Sequence, residues 1–162
     1  MIRHVSPTDA AAIATIYNHY ILHTTISFEI LPVSAEVMAQ RIAACCEGGY
    51  PFLVCESEGC LLGYCYAHPW KERAAYAKTW EVTIYLAPAA CGNGTGQRLM
   101  QELISCCRQA GCRALIACIT GDNERSRRFH MQAGFRQVSH FEQVGEKSGK
   151  ILDVDDFELL LN

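Results

Sequence analysis

Hydrophobic positions along the chain change period several times, and those changes predict the elements. In "MIRHVS" a short apolar alternation predicts a first strand. "SPTDAAAIATIYNHYIL" places Ile13, Ile16, Tyr17 and Tyr20 on one helical face, with Pro7 or Thr8 at the start. "SAEVMAQRIAACCEG" predicts a second helix, with Ser34 as N-cap, Val37 at the matching third position and Gly48 near its end. The intervening "HTTISFEILP" has no period and predicts a loop with exposed aromatics. "PFLVCES" and "CLLGYCYAHPW" read as a hairpin turning at Glu58-Gly59. After the basic and aromatic "PWKERAAYAK", the segment "TWEVTIYLAP" predicts another strand. "ALIACIT" reads as a buried strand, and "NERSRRFHMQA" as a short helix stopped by Gly134. "FRQVSHFEQVG" is expected to be one strand, and "ILDVDDFELLLN" closes the sheet. The order β-α-α-β-β-β-α-β-α-β-β predicts a mixed sheet with helices on both faces. No repeat, linker or low-complexity stretch divides the chain, so a single domain over 1–162 is expected.

The stretch "AACGNGTGQRLMQELI" adds a candidate function. Gly92, Gly94 and Gly96 directly precede Leu99, Met100, Leu103 and Ile104, which fall at helical spacing. A helix N-terminus has unpartnered N–H groups and a partial positive charge, and glycines let the backbone close around an anion. Two familiar phosphate motifs fail here. Gln97 stands where a dinucleotide fingerprint needs glycine, and Gln97, Arg98 and Leu99 do not satisfy a P-loop.

Composition narrows the partners. Of 162 residues, 50% are hydrophobic and 19% charged, which is globular composition. A net charge of −3 argues against a nucleic-acid surface. No apolar run is long enough for a membrane span, and Asp9 interrupts any signal-peptide core, so a cytoplasmic protein is expected. The 10 cysteines contain no C-x-x-C spacing, so no metal site is expected. Cys55, Cys65 and Cys118 lie in strand-like runs, where a thiol behaves as a small buried hydrophobe.

That element order, with "IYLAPAACGNGTGQRLMQELI" followed by "NERSRRFHMQAGF", resembles the GNAT superfamily of acetyl-coenzyme A-dependent N-acetyltransferases. The superfamily's pyrophosphate loop begins with Gln or Arg and has glycine at its fourth position and glycine or alanine at its sixth. Cys91, Gly92, Asn93, Gly94, Thr95 and Gly96 correspond to it. "IYNHYILHTTISFE", "YAHPWKERAAY", "TWEVTIYL" and "VGEKSGKILDV" resemble the phosphinothricin and methionine sulfoximine N-acetyltransferase branch. Two positions depart from the pattern: Cys91 replaces the Gln or Arg, and Ile151 replaces an aromatic near the end. The resemblance implies an α/β GNAT fold: a mixed, mostly antiparallel central sheet whose central strands splay apart, expected just beyond Leu86. It also implies acetyl-CoA as co-substrate, a small-molecule amine as substrate and a homodimer.

Acetyl transfer to an amine makes three demands: an anchored pyrophosphate, a deprotonated amine and a stabilised leaving thiolate. The loop from Cys91 to Gly96 answers the first through backbone donors, with Gln97, Asn123 and Ser126 counted among the coenzyme contacts. By resemblance, Ile84, Tyr85 and Leu86 pair with the pantetheine arm and polarise the thioester carbonyl. Asn123 is equally suited to cap its helix. An α-ammonium with a pKa near ~8 is mostly charged at neutral pH. Glu81, inside "TWEVTIYL", aligns with the branch's catalytic glutamate and is expected to take that proton. His130 stands where many superfamily members have a tyrosine that protonates the thiolate, and imidazole can serve as that acid. For the substrate, Phe28 and Glu29 lie in the loop between the first two helices, with Glu29 a partner for the sulfoximine or amino group. Arg73 offers a carboxylate a bidentate guanidinium, with Tyr76 nearby. Lys71 reads as solvated. The competing readings are acetylation of another amine (a polyamine, another amino acid or a protein N-terminus) and a non-catalytic acyl-CoA sensor. A sensor has no use for Glu81 and His130 together.

Overall fold

A computed structural model describes residues 1–161. Its strands are β1 (Ile2–His4), β2 (Phe52–Ser57), β3 (Cys60–Pro69), β4 (Thr79–Leu86), β5 (Ala114–Thr120), β6 (Arg136–Gln137), β7 (Phe141–Lys147) and β8 (Lys150–Leu160). The helices are α1 (Ala10–His23), α2 (Ala35–Glu47), α3 (Thr95–Gln109) and α4 (Glu124–Gln132). The sheet runs β1-β2-β3-β4-β5-β8-β6, with β7 also on β8. Among the described residues only β4 and β5 pair in parallel.

Helices cover both faces, as the element order predicted. Ile13 and Ile16 of α1 and Met38 and Ile42 of α2 pack on Phe52, Val54 and Tyr64. On the opposite face Leu99, Met100, Leu103 and Cys107 of α3 meet Leu53, Cys65, Leu115, Ala117 and Phe157. Ser34 caps α2, its hydroxyl accepting from the Val37 N–H at 3.2 Å. Helix α1 starts at Ala10, because Pro7–Asp9 forms a 3-10 turn. There the Asp9 carboxylate accepts the Ser6 N–H at 2.7 Å and pairs with Arg3.

Three expectations need correction. "FRQVSHFEQVG" forms two strands rather than one. At the break the Val138 and Ser139 N–H groups both turn to the Asp156 carbonyl, and His140 folds onto Asp155 at 2.6 Å. Cys118 is exposed, unlike buried Cys55 and Cys65, since it lies on the sheet face that α1 and α2 leave uncovered. The central strands also separate earlier than expected. The β4–β5 ladder contains only Thr79↔Ala114, Trp80↔Leu115 and Glu81↔Ile116, so the splay begins after Glu81 and not beyond Leu86. Past that point β4 stays with β3 to Leu86, while β5 stays with β8 to Thr120. Each strand follows its antiparallel partner, and the weaker parallel pairing yields between them.

Candidate active site

The Gly-rich loop and the splayed strands form one wall system. A cleft of about 560 Å³ is lined by Ile84, Tyr85, Leu86, Cys91, Gly92, Gly94, Gly96, Gln97, Asn123 and Ser126. Every residue expected at the coenzyme lines it except Asn93 and Thr95. Those two have a local task, since the Asn93 Oδ1 accepts the Thr95 N–H at 3.1 Å. The next two N–H groups of α3, on Gly96 and Gln97, have no protein acceptor among the described residues.

The three glycines act by different means. Gly92 (φ 85°) and Gly94 (φ 84°) are left-handed, with open space where a Cβ would stand. Gly96 has ordinary helical backbone, but a Cβ there would meet Leu86 and Phe129 at 3.3 Å. The loop is therefore bare backbone at an N-terminus with free donors, which fits a pyrophosphate.

Beyond Glu81 the β4 backbone facing β5 has no partner strand, so it offers a free edge to an extended ligand. The Tyr20 hydroxyl donates to the Leu86 carbonyl at 2.6 Å, which takes that carbonyl out of the expected pantetheine pairing. The sequence reading missed Tyr20, Arg125, Arg128 and Phe129 on this cleft. The arginine run in "NERSRRFH" was the available signal, being cationic and directly after Asn123. Asn123 has the capping role, its Oδ1 accepting from the Ser126 N–H at 3.1 Å, and it also lines the cleft.

A second cavity, about 490 Å³, shares Ile26, Ile84, Tyr85, Asn123 and Ser126 with the first. Glu81, His130, Phe28, Glu29, Thr83 and Cys118 also line it. Glu81 comes to the cavity from the last paired residue of β4, where the strands begin to separate. Its carboxyl is raised above the ordinary range by burial, lowered by His68 and raised again by Asp156. A carboxylate made more basic by its surroundings is suited to proton removal.

His130 also reaches this cavity, and its hydrogen bonds bear on the expected acid role. Its Nδ1 lies 2.9 Å from the Ser126 carbonyl, which can only accept, and 3.2 Å from the Ser126 hydroxyl; the shorter contact favours a proton on Nδ1 and a bare Nε2. Burial lowers its pKa, which keeps the ring neutral. In that form the neutral ring has its single N–H engaged.

The expected substrate residues divide. Phe28 and Glu29 line the cavity, with the Phe28 ring packed over Gly145. Glu29 is held from behind by Arg41 at 2.6 Å. Arg73 and Tyr76 line neither cavity. Their loop packs on itself, with Tyr76 edge-on to Trp70 and the Lys71 ammonium 4.1 Å from the Trp70 ring centre. Among the described residues, no arginine or lysine lines the second cavity.

Comparisons with known proteins agree with this geometry. The family model described as an Acetyltransferase (GNAT) domain matches residues 2–154. A phosphinothricin N-acetyltransferase of Alcaligenes faecalis is 40% identical over 154 residues, 94% of this chain and 78% of that protein. An L-methionine sulfoximine/L-methionine sulfone acetyltransferase of Salmonella typhimurium is 34% identical over 161 residues, 99% of this chain and 94% of that protein. Among solved structures, a phosphinothricin acetyltransferase from Sinorhizobium meliloti in complex with acetyl-CoA superposes with a TM-score of 0.97. It is 33% identical, and the match covers 100% of this chain and 88% of that one. The cleft between splayed strands, the glycine loop at its mouth and this likeness over nearly the full length have one meaning: the chain belongs to the GNAT acetyltransferase family and is an acetyl-CoA-dependent N-acetyltransferase.

Proposed function

We propose that the enzyme acetylates the amino group of a small amino-acid-like substrate of the phosphinothricin or methionine sulfoximine type. The observation that carries this reading is the second cavity, small and opening onto the coenzyme cleft, with Glu81 in its wall. A compact chamber suits a small amine better than a protein chain. The relatives with that activity add to the case.

The roles follow from position. The loop from Gly92 to Gln97, with Arg125 and Arg128, holds the diphosphate, and the free edge at Ile84 and Tyr85 aligns the pantetheine arm. When bound, acetyl-CoA supplies the acetyl group as a thioester. Glu81 takes a proton from the ammonium and leaves a lone pair on nitrogen for the acyl carbon. Phe28 and Glu29 shape the cavity around the side chain of the substrate.

For His130 we assign a placing role on the cavity wall. His130→Ala is expected to lower kcat less than about tenfold, well short of a general acid's usual share. The loss should be equal for acetyl donors of differing thiol acidity. A defect that shrinks as the leaving thiol becomes more acidic would return the acid role to His130.

Arg73, in the loop between β3 and β4, is the proposed partner of the substrate carboxylate. Arg73→Ala should raise KM for the amine about tenfold or more while kcat changes little, in line with one lost charge-assisted contact. Equal activity of the wild type on the decarboxylated amine would count against a carboxylate requirement. The decisive screen supplies acetyl-CoA with phosphinothricin, methionine sulfoximine, polyamines and a peptide N-terminus, and follows free thiol. The ten thiols of the protein require a protein-only blank.

A cytoplasmic, single-domain homodimer completes the reading. Ten unpaired thiols are suited to a reducing compartment. Phe141, Val144, Ile151 and Leu160 stand exposed on β7 and β8, an apolar surface that a second copy would cover. Sedimentation at micromolar concentration tests the dimer.

A further inference from the structure

We propose that His68 is the second proton carrier of the reaction, taking from Glu81 the proton removed from the ammonium and releasing it to solvent. The inference rests on the reading of Glu81 as base, and it adds the route by which that base is reset.

The strand register sets the pair. His68 on β3 stands directly opposite Glu81 on β4, so both side chains leave the same face of the sheet as cross-strand neighbours. The His68 Nε2 lies 3.9 Å from the Glu81 Oε1. Its Nδ1 lies 3.0 Å from the Pro69 carbonyl. A carbonyl only accepts, so the neutral ring keeps its proton on Nδ1 and turns a lone pair on Nε2 toward the carboxyl. The ring is steadied by Tyr66, whose centroid is 5.8 Å away. Tautomer and direction are therefore those of an acceptor for a proton on Glu81, the reverse of a donor.

Position gives the route its purpose. Glu81 lines the substrate cavity with 28% of its side chain exposed, and His68 lies outside that lining with 35% of its side chain exposed. An amine seated in the cavity covers Glu81 on the inner side, and His68 stands on the outer side, in contact with water. At 3.9 Å the gap exceeds a direct hydrogen bond, and a small rotation or one bridging water closes it. Imidazole exchanges protons near neutral pH, which suits a carrier that must load and unload in each turnover.

The other groups around Glu81 are poorer acceptors. Cys118 on β5, exposed in the cavity wall, has its thiol pushed up to about 12 by partial desolvation there and further by Asp156 and Glu81, so it keeps its own proton. Asp156 on β8 acts on Glu81 as a like charge.

The step balances without any oxidation or reduction. An ammonium N–H bond breaks as an O–H bond forms on Glu81. That O–H then breaks as an N–H forms at the His68 Nε2, and the resulting imidazolium passes its proton to water.

The experiment measures kcat and KM from pH 6 to 9 for wild type, His68→Ala, His68→Gln, Asp156→Asn, Glu81→Gln and the Glu81→Gln/His68→Ala double variant. His68→Gln retains a donor for the Pro69 carbonyl but cannot carry a proton. Both His68 variants should lose about tenfold in kcat, less than removal of the base itself, with KM for the amine unchanged. Added imidazole should restore most of the loss in His68→Ala. Loss of the imidazolium, which favours the ionised carboxylate, should move the acid limb of kcat/KM to higher pH. The double variant should be no slower than Glu81→Gln, because the carrier then has nothing to collect. Wild-type kcat in His68→Gln, additive losses in the double variant, or failure of imidazole to rescue would each overturn the relay. So would a kcat loss in Asp156→Asn that imidazole in the assay restores. Slow Glu81→Gln with normal His68 variants would remove the relay alone. A Glu81→Gln enzyme at the wild-type rate would remove the general base as well.

Discussion

Replacing Glu81 with glutamine lowers kcat by roughly 10²–10⁴-fold at pH 7, the usual cost of losing a general base, and leaves acetyl-CoA affinity unchanged. Glutamine keeps the shape of the side chain and its hydrogen-bonding reach but accepts no proton. Part of the activity should return at high pH, where the amine loses its proton unaided. Stability should move the other way. Burial raises the Glu81 pKa in the folded protein, so the native state holds this proton more readily than the unfolded chain. The contribution of Glu81 to stability is therefore present below the unfolded pKa and is lost as pH rises through the native one. At pH 7–8 the neutral glutamine avoids that cost, and Glu81→Gln should melt no lower than the wild type by calorimetry. A slow enzyme with undiminished melting temperature locates the defect in chemistry. A normal rate and pH profile would make the carboxylate structural.

Gly94→Val removes acetyl-CoA binding, and Gly96→Val does so by a different route. At Gly94 the backbone has φ 84°, where a β-branched residue is strained by roughly 1–2 kcal/mol. The new side chain also projects into the cleft at the start of α3. At Gly96 the backbone is unstrained, and valine instead wedges Leu86 from Phe129 across the cleft walls. Isothermal calorimetry with acetyl-CoA should show binding reduced at least a hundredfold in each variant, the order expected when backbone contacts to a charged diphosphate are lost. Gly111→Val is the control, since Gly111 has the same φ of 84° at the far end of α3 and lines neither cavity. It should bear the same strain and bind normally. Cys91→Arg supplies one of the two residues that the resemblance expects at that loop position, and affinity should hold or improve. Normal binding by Gly94→Val would place the diphosphate elsewhere.

Much of the site was legible because its parts are local. A run of glycines before an apolar-periodic helix is contiguous in the chain, and its meaning as an anion site depends only on backbone freedom and helix polarity. Ser34 and Gly48 bounded α2 for the same reason, as did Gly134 for α4. Where the expectation failed, the deciding partner was distant in sequence. "FRQVSHFEQVG" has strand composition, yet Asp155 and Asp156 on β8 draw His140 and the 138–139 backbone out of register. Cys118 has the setting of a buried strand thiol, but only the sheet's outer layer decides which face is covered. For His130 the histidine and its helical neighbour Ser126 were both visible, and only the burial that keeps the ring neutral is a tertiary fact.

By itself, the sequence determined the order of elements, the two helix-bearing faces, the glycine loop and the residues that resemble an acetyltransferase's. Those features follow from periodicity, caps and turn chemistry, each settled within a few residues. Tertiary structure alone decided where β4 and β5 part, because separation results from competition between β3 and β8 for strands that pair only weakly with each other. It likewise decided that Glu81 opens onto a cavity joined to the coenzyme cleft, with Arg125 and Arg128 on that cleft's wall and Arg73 outside both. Register across β3 and β4 set His68 against Glu81, thirteen positions apart in the chain. Spacing along one strand cannot report such a pair, since which residues face each other is fixed by the hairpin's turn and by the packing of the whole sheet.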